Sequence, residues 1–119
     1  MLQLNYNKND LSEAVNIIKN GGIIIYPTDT LYGIGCNPFD ATAIRKLNKL
    51  KKRSSKPLPV LCSDLNHAEN LVYLGELGKK LASRFWPGGL TIIAKNMMDN
   101  LPMELIGNSG GVGVRIPNH

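Results

Sequence analysis

A chain of 119 residues with 43% hydrophobic side chains has room for one domain and a modest core, so residues 1–119 read as a single domain. The net charge of +5 comes from fourteen Lys and Arg against nine Asp and Glu. Cys36 and Cys62 stand far apart and outside any C-x-x-C spacing, which argues against a disulfide framework or a zinc site and suits thiols in a reducing compartment. The amino-terminus is polar where a signal peptide needs an apolar core, and the longest aliphatic run, Ile23, Ile24 and Ile25, is far too short to span a bilayer. The expectation is a soluble cytoplasmic protein without a membrane partner.

Leu2-Gln3-Leu4 alternates like a short strand, and Asp10 followed by Glu13 has the spacing of a capping box. Leu11, Ala14, Val15 and Ile18 recur at helical spacing and predict one apolar face, ended by Gly21 in the left-handed conformation. Ile23-Ile24-Ile25-Tyr26 is apolar without alternation, which predicts a strand covered on both sides. Pro27 lacks an N–H and should stop it, so that Thr28, Asp29 and Thr30 leave the sheet as a loop at the strand's carboxyl end. Gly33 and Gly35 permit close backbone approach or positive φ, although a lone G-x-G reads more often as a turn.

Asp40 or Thr42 is placed to cap a second helix, with Ala43, Ile44, Leu47 and Leu50 inward and Arg45, Lys46, Lys49 and Lys52 outward. Leu58-Pro59-Val60-Leu61-Cys62 reads as a strand that Pro59 confines to an edge or a first position. Ser63 or Asp64 caps a helix through Ala68 and Leu71, and Gly75 separates it from another carrying Leu77, Leu81, Ala82 and Phe85. Trp86-Pro87-Gly88-Gly89 reads as a packed helix end and turn. Leu90-Thr91-Ile92-Ile93-Ala94 predicts a strand, residues 96–109 are irregular, and Val112-Gly113-Val114-Arg115-Ile116 predicts a final strand.

Two stretches carry the chemistry. The first is Thr28, Thr30 and Tyr32, which offer hydroxyls where an apolar strand ends. The second is the segment holding Arg45, Lys46, Lys49, Lys51, Lys52, Arg53 and Lys56, seven cations in twelve residues with no Asp or Glu from Ala41 to Ser63. Such a field attracts phosphates, pyrophosphate or an RNA backbone. On residue type alone it reads equally as a solvated helix face. Lys51, Arg53 and Lys56 run past the predicted helix, where the helix dipole no longer accounts for them. No His, Cys or carboxylate cluster suggests a metal site; His67 reads as a surface helix residue and Asp29 as a loop anchor.

The run from Gly22 through Tyr26-Pro27-Thr28-Asp29-Thr30-Leu31-Tyr32-Gly33, then Lys51-x-Arg53 with Lys56-Pro57-Leu58, Phe85-Trp86-Pro87-Gly88 with Leu90-Thr91, and Val112-Gly113-Val114-Arg115-Ile116-Pro117 together resemble the threonylcarbamoyl-AMP synthase (YrdC-like) family. The resemblance implies an α/β fold, an open twisted mixed sheet with flanking helices around a positively charged concavity. It implies condensation of L-threonine, bicarbonate or CO2, and ATP, usually with Mg²⁺, to threonylcarbamoyl-AMP and pyrophosphate. A downstream tRNA threonylcarbamoyltransferase then passes the group to tRNA.

Carried onto this chain, the resemblance gives Lys51, Arg53 and Lys56 catalytic and charge-neutralising roles. Thr28, Thr30, Tyr32 and Arg53 become threonine contacts, and Lys51, Lys56, Thr91 and Arg115 nucleotide contacts, with no protein metal ligand. The alternatives are a non-catalytic module for double-stranded RNA or tRNA, and a domain handling carbamoyl-adenylate. Two residues separate Arg53 from Lys56 where many members have three. Members also continue well past the position of His119 through a Ser-Ala-Asn motif, so the chain reads as a C-terminally truncated member.

Overall fold

The structure, a computed structural model, describes residues 8–29, 32–50, 58–107 and 109–118. The strand expected over residues 2–4 lies outside them. The described elements, in order, are α1 (Lys8–Lys19), β1 (Ile24–Pro27), β2 (Tyr32–Gly35), α2 (Ala41–Leu50), β3 (Val60–Leu61), α3 (Leu65–Leu71), β4 (Val72–Tyr73), α4 (Gly75–Phe85), β5 (Ile92–Asn96), a 3-10 turn over Met103–Leu105, and β6 (Gly111–Arg115). The α/β class and the mixed, open sheet with flanking helices are as expected.

The main sheet has the order β3-β6-β5-β4. β6 runs parallel to β3, pairing Val60 with Val114, and antiparallel to β5, pairing Ile92 with Val114 and Ala94 with Val112. Alternation along these strands sends Val60, Val72, Ile92, Val112 and Val114 to one face. There they meet Ile44 of α2, Ala68 and Leu71 of α3, Ala82 of α4, and Leu101 and Leu105 from the irregular stretch after β5. Val112 and Val114 are wholly buried, and burial of such a side chain contributes about 1.5–3 kcal/mol. β3 is an edge strand among the described residues, as Pro59 led one to expect.

The helix ends follow local chemistry. Asp40 caps α2, its Oδ1 accepting from the Ala43 N–H at 3.1 Å, and Asp64 caps α3, accepting from the His67 N–H at 2.8 Å. Gly21, at φ 83°, closes α1, with the Gly21 and Gly22 N–H groups donating to the Ile18 and Ile17 carbonyls. Asp10 falls inside the first turn of α1 rather than at its cap, where its charge still complements the helix dipole.

Several expectations are corrected. β1 belongs to a separate two-stranded antiparallel sheet with β2, and Ile25 on its outer face is 63% exposed. It is therefore covered on one side only, and Pro27 is its last residue, paired with Tyr32, because the end of a hairpin does not require its N–H. Gly33 and Gly35 lie in β2 beneath the Tyr26 ring, so the turn reading is corrected and the close-approach reading holds. A Cβ at Gly35 would stand 2.8 Å from Tyr26 Cε1, so the glycines exist for close approach. Leu50 is 65% exposed at the end of α2, and Leu11, Val15, Leu77 and Phe85 are also largely exposed rather than inward.

Candidate functional site

Alternation places Arg115 on the face of the main sheet opposite the core, together with Gly113, Gly111 and Ile93. Continuing the β5–β6 register by one residue sets Thr91 opposite Arg115, and a Cβ at Gly113 would lie 3.2 Å from Thr91 Cγ2. This face is open among the described residues, Ile93 being 75% exposed. Arg115 is nevertheless buried. A buried guanidinium is costly unless its charge and N–H groups are matched.

The match comes from the β1–β2 turn. Arg115 Nη1 donates to Asp29 Oδ1 at 2.7 Å and to the Gly88 carbonyl at 2.8 Å. The other carboxylate oxygen, Oδ2, accepts from the Asn118 N–H at 2.9 Å. The two side chains are 10% and 14% exposed, although the Asp29 backbone lies open to solvent. Three separate segments therefore converge on one carboxylate and one guanidinium: the hairpin turn, the Trp86–Gly89 turn and the chain following β6. The Arg115 hydrogen bond, chiefly, and then that from Asn118, hold the Asp29 carboxyl below its ordinary range. Asp29 is thus a loop anchor, as expected.

Hydrogen bonds tie the Trp86-Pro87-Gly88 turn to its surroundings. The Trp86–Pro87 peptide is cis, the Trp86 indole N–H donates to the Leu90 carbonyl at 2.7 Å, and the Gly88 N–H to the Ile116 carbonyl at 2.8 Å. Its reading as a packed helix end and turn is what the structure displays.

Thr28, half-buried, adjoins Asp29 in the hairpin turn, and Tyr32, at the start of β2, is 79% exposed. Arg115, Thr91 and the Thr28–Asp29 turn are thus brought to one end of the open sheet face. That end holds the carboxyl termini of β3 and β6, the usual ligand position in open α/β sheets. Thr30, Lys51, Arg53 and Lys56 lie outside the described residues. Arg45, Lys46 and Lys49 are exposed on α2, and Arg45 pairs with Glu104 at 2.8 Å.

Beneath the hairpin is a cavity of about 270 Å³ whose lining includes Ile24, Tyr26, Cys36, Ile44, Leu58 and Leu105. Burial raises the Tyr26 hydroxyl and Cys36 thiol above their ordinary values, the Arg115 charge partly offsetting the former. Cys62 is more deeply placed and its thiol is pushed up to about 11, so neither cysteine has the low pKa of a nucleophile. His67 sits on the surface of α3, its ring nitrogen accepting from the Ser63 N–H at 3.1 Å.

Sequence reading missed the partnership of Asp29 with Arg115, 86 positions apart. One signal pointed to it. A single Arg in the apolar run Val112-Gly113-Val114-Arg115-Ile116 demands an anion from elsewhere, and Asp29 is the one acid in the four motifs.

The family model Sua5/YciO/YrdC, described as "Telomere recombination", matches residues 16–119. The chain belongs to this family. It is 40% identical over 102 residues to a protein of Methanocaldococcus jannaschii named putative threonylcarbamoyl-AMP synthase, covering 85% of this chain and 48% of that one. It is 32% identical over 119 residues to the threonylcarbamoyl-AMP synthase of Bacillus subtilis, covering 98% and 34%. The structure of P. abyssi Sua5 complexed with L-threonine is similar with a TM-score of 0.87 at 30% identity, covering 95% of this chain and 34% of that one. The chain therefore spans half or less of the length of these relatives. No helix among the described residues is long and apolar enough to cross a membrane.

Proposed function

We propose that this chain supplies the threonine-binding and part of the nucleotide-binding surface of a threonylcarbamoyl-AMP synthase. The observation that carries this reading is the Thr28–Asp29 turn, pinned to Arg115 at the carboxyl ends of β3 and β6, in a fold so similar to a Sua5 solved with L-threonine. The amine of threonine, N-carboxylated by bicarbonate or CO2, presents a carboxylate that attacks the α-phosphate of ATP, and pyrophosphate leaves. Such chemistry depends chiefly on positioning and on neutralising the charge that gathers on the leaving group. In this proposal Thr28 and Thr30 hydrogen-bond the threonine, with Tyr32 and Arg53 beside them. Lys51, Arg53 and Lys56 face the phosphates, and Thr91 and Arg115 border the nucleotide. The product is handed to a tRNA threonylcarbamoyltransferase acting on tRNA in the cytoplasm.

Mg²⁺ enters only as the counter-ion of ATP. The described residues offer no group of three or more His, Cys, Asp or Glu that could hold an ion, and both Asp29 oxygens are engaged by Arg115 and Asn118. They do not fit a protein-built Mg²⁺ site, whereas Mg²⁺ held mainly by substrate phosphates needs none.

Calorimetric titration of the chain with L-threonine and with ATP tests the reading. Saturable threonine binding, weakened about three- to tenfold by Thr28→Ala as the loss of one hydrogen bond implies, is the expected result. A chain that binds ATP but ignores threonine, or binds tRNA with steep salt dependence and neither small molecule, overturns it.

A further inference from the structure

The hairpin that carries Thr28 is joined to the main sheet in an unusual way. Its outer face is exposed at Ile25, and a cavity of about 270 Å³ lies between its inner face and α2 and β3. Among the described residues, the contacts that tie Asp29 in the turn to the main sheet are polar and directional. Asp29 Oδ1 lies 2.7 Å from Arg115 Nη1, Asp29 Oδ2 lies 2.9 Å from the Asn118 nitrogen, and the same Nη1 lies 2.8 Å from the Gly88 oxygen. Arg115 itself is held by the β6 ladder, whose neighbours Val112 and Val114 are wholly buried, and by the Cys62 N–H donating to its carbonyl at 2.8 Å. One side of the latch is thus a fixed post and the other a loosely packed arm.

We propose that Asp29 is a positioning residue: its carboxylate, clamped by Arg115 and Asn118, sets the placement of the Thr28-bearing turn over the open sheet face and thereby the affinity of that turn for its ligand. The ligand half of this statement rests on the threonine reading above; the placement half does not. Each carboxylate oxygen holds one of these contacts, and Asp29 acts through the turn that they place. Asp29→Asn keeps the shape, removes the charge and turns one of the two acceptor oxygens into a donor, so the side chain can no longer accept from Arg115 and Asn118 through separate oxygens.

The test combines amide hydrogen exchange with threonine titration on the full chain, wild type and Asp29→Asn. The expected result is exchange roughly tenfold faster at Thr28, Asp29 and Gly33 with Val112 and Val114 unchanged, and threonine affinity lower by about tenfold because the turn must be reordered on binding. Unchanged exchange at the turn overturns the proposal. Faster exchange with unchanged threonine affinity overturns it too, since a purely structural pair would lower stability without moving the affinity of the folded protein. If Val112 and Val114 lose protection as well, Asp29→Glu, which retains the charge, carries the same two readouts with smaller changes expected. A wild-type chain that binds no threonine defeats the functional reading, and the exchange data alone then decide whether the latch exists.

Discussion

The β1–β2 hairpin and the four-stranded sheet use opposite means of holding a shape. The sheet is sealed on one face by Val60, Val72, Ile92, Val112 and Val114 against three helices, and its second face is open among the described residues. The hairpin has Ile25 in solvent and a cavity beneath it, and it is anchored through Asp29. Hydrophobic burial is strong but indifferent to direction, whereas a carboxylate bridging a guanidinium and an N–H fixes a turn in a definite place. The contrast teaches that the segment bearing Thr28 is positioned by charge on a scaffold positioned by packing. Ligand-binding loops are commonly drawn from the less stable part of a fold for this reason.

The largest effect that would break the contrast lies in neighbouring residues of β5. Ile92→Ala removes a side chain that is 7% exposed in the core and should destabilise the protein by about 2–5 kcal/mol in urea unfolding. Ile93→Ala, one position on and facing the open side, should change stability by no more than about 0.5 kcal/mol. Similar losses at both positions would mean that the open face is covered after all. A smaller effect separates the hairpin. Gly35→Ala would place a Cβ 2.8 Å from the Tyr26 ring, and the displaced ring should cost about 1–3 kcal/mol. Tyr26 and Gly33 resonances should shift in NMR spectra while those of Val112 and Val114 stay fixed. Shifts spread through β6 would show the two units to be one cooperative block.

Most helices were legible because their signals are local. Asp40, Asp64 and Gly21 each act within four residues of themselves, and apolar spacing located α2, α3 and α4. Exposure was harder to read. Leu50, Leu77 and Phe85 carry the period of a buried face but fall at helix ends or beyond the sheet's reach. β2 was hidden because Tyr32-Gly33-Ile34-Gly35 has the composition of a turn, and only the position of the Tyr26 ring explains its glycines. β4, two residues directly after α3, is too short for any period to mark. At the site, motif order brought Thr28, Thr91 and Arg115 into one reading, and the structure puts them at one end of the open face. The bond between Asp29 and Arg115 spans 86 positions, and the lone Arg in an apolar strand signals the need for an anion without locating it.

The smallest expected effect on global stability, and the sharpest on the contrast, comes from acid. Asp29 has its carboxyl pKa lowered in the folded protein from an ordinary value of 3.8, first by the Arg115 hydrogen bond. A depressed carboxylate contributes stability that is fully present above its unfolded value and is lost as pH falls through its folded value. The hairpin should therefore be unchanged from pH 7 down to about pH 5, and the signals of Thr28 and Asp29 should move as the pH falls through the lowered folded value of Asp29. Glu104 is lowered too, by its backbone surroundings and by Arg45, from an ordinary value of 4.5. The titration is accordingly repeated in Glu104→Gln, which removes that event from the same window. Movement at Thr28 that persists in Glu104→Gln, while Ile92 and Val114 hold their shifts, assigns the transition to Asp29. Movement of all four residues together would mean that the sheet and the hairpin share one acid-sensitive support, and that packing and charge are not divided between them as the folded contacts indicate.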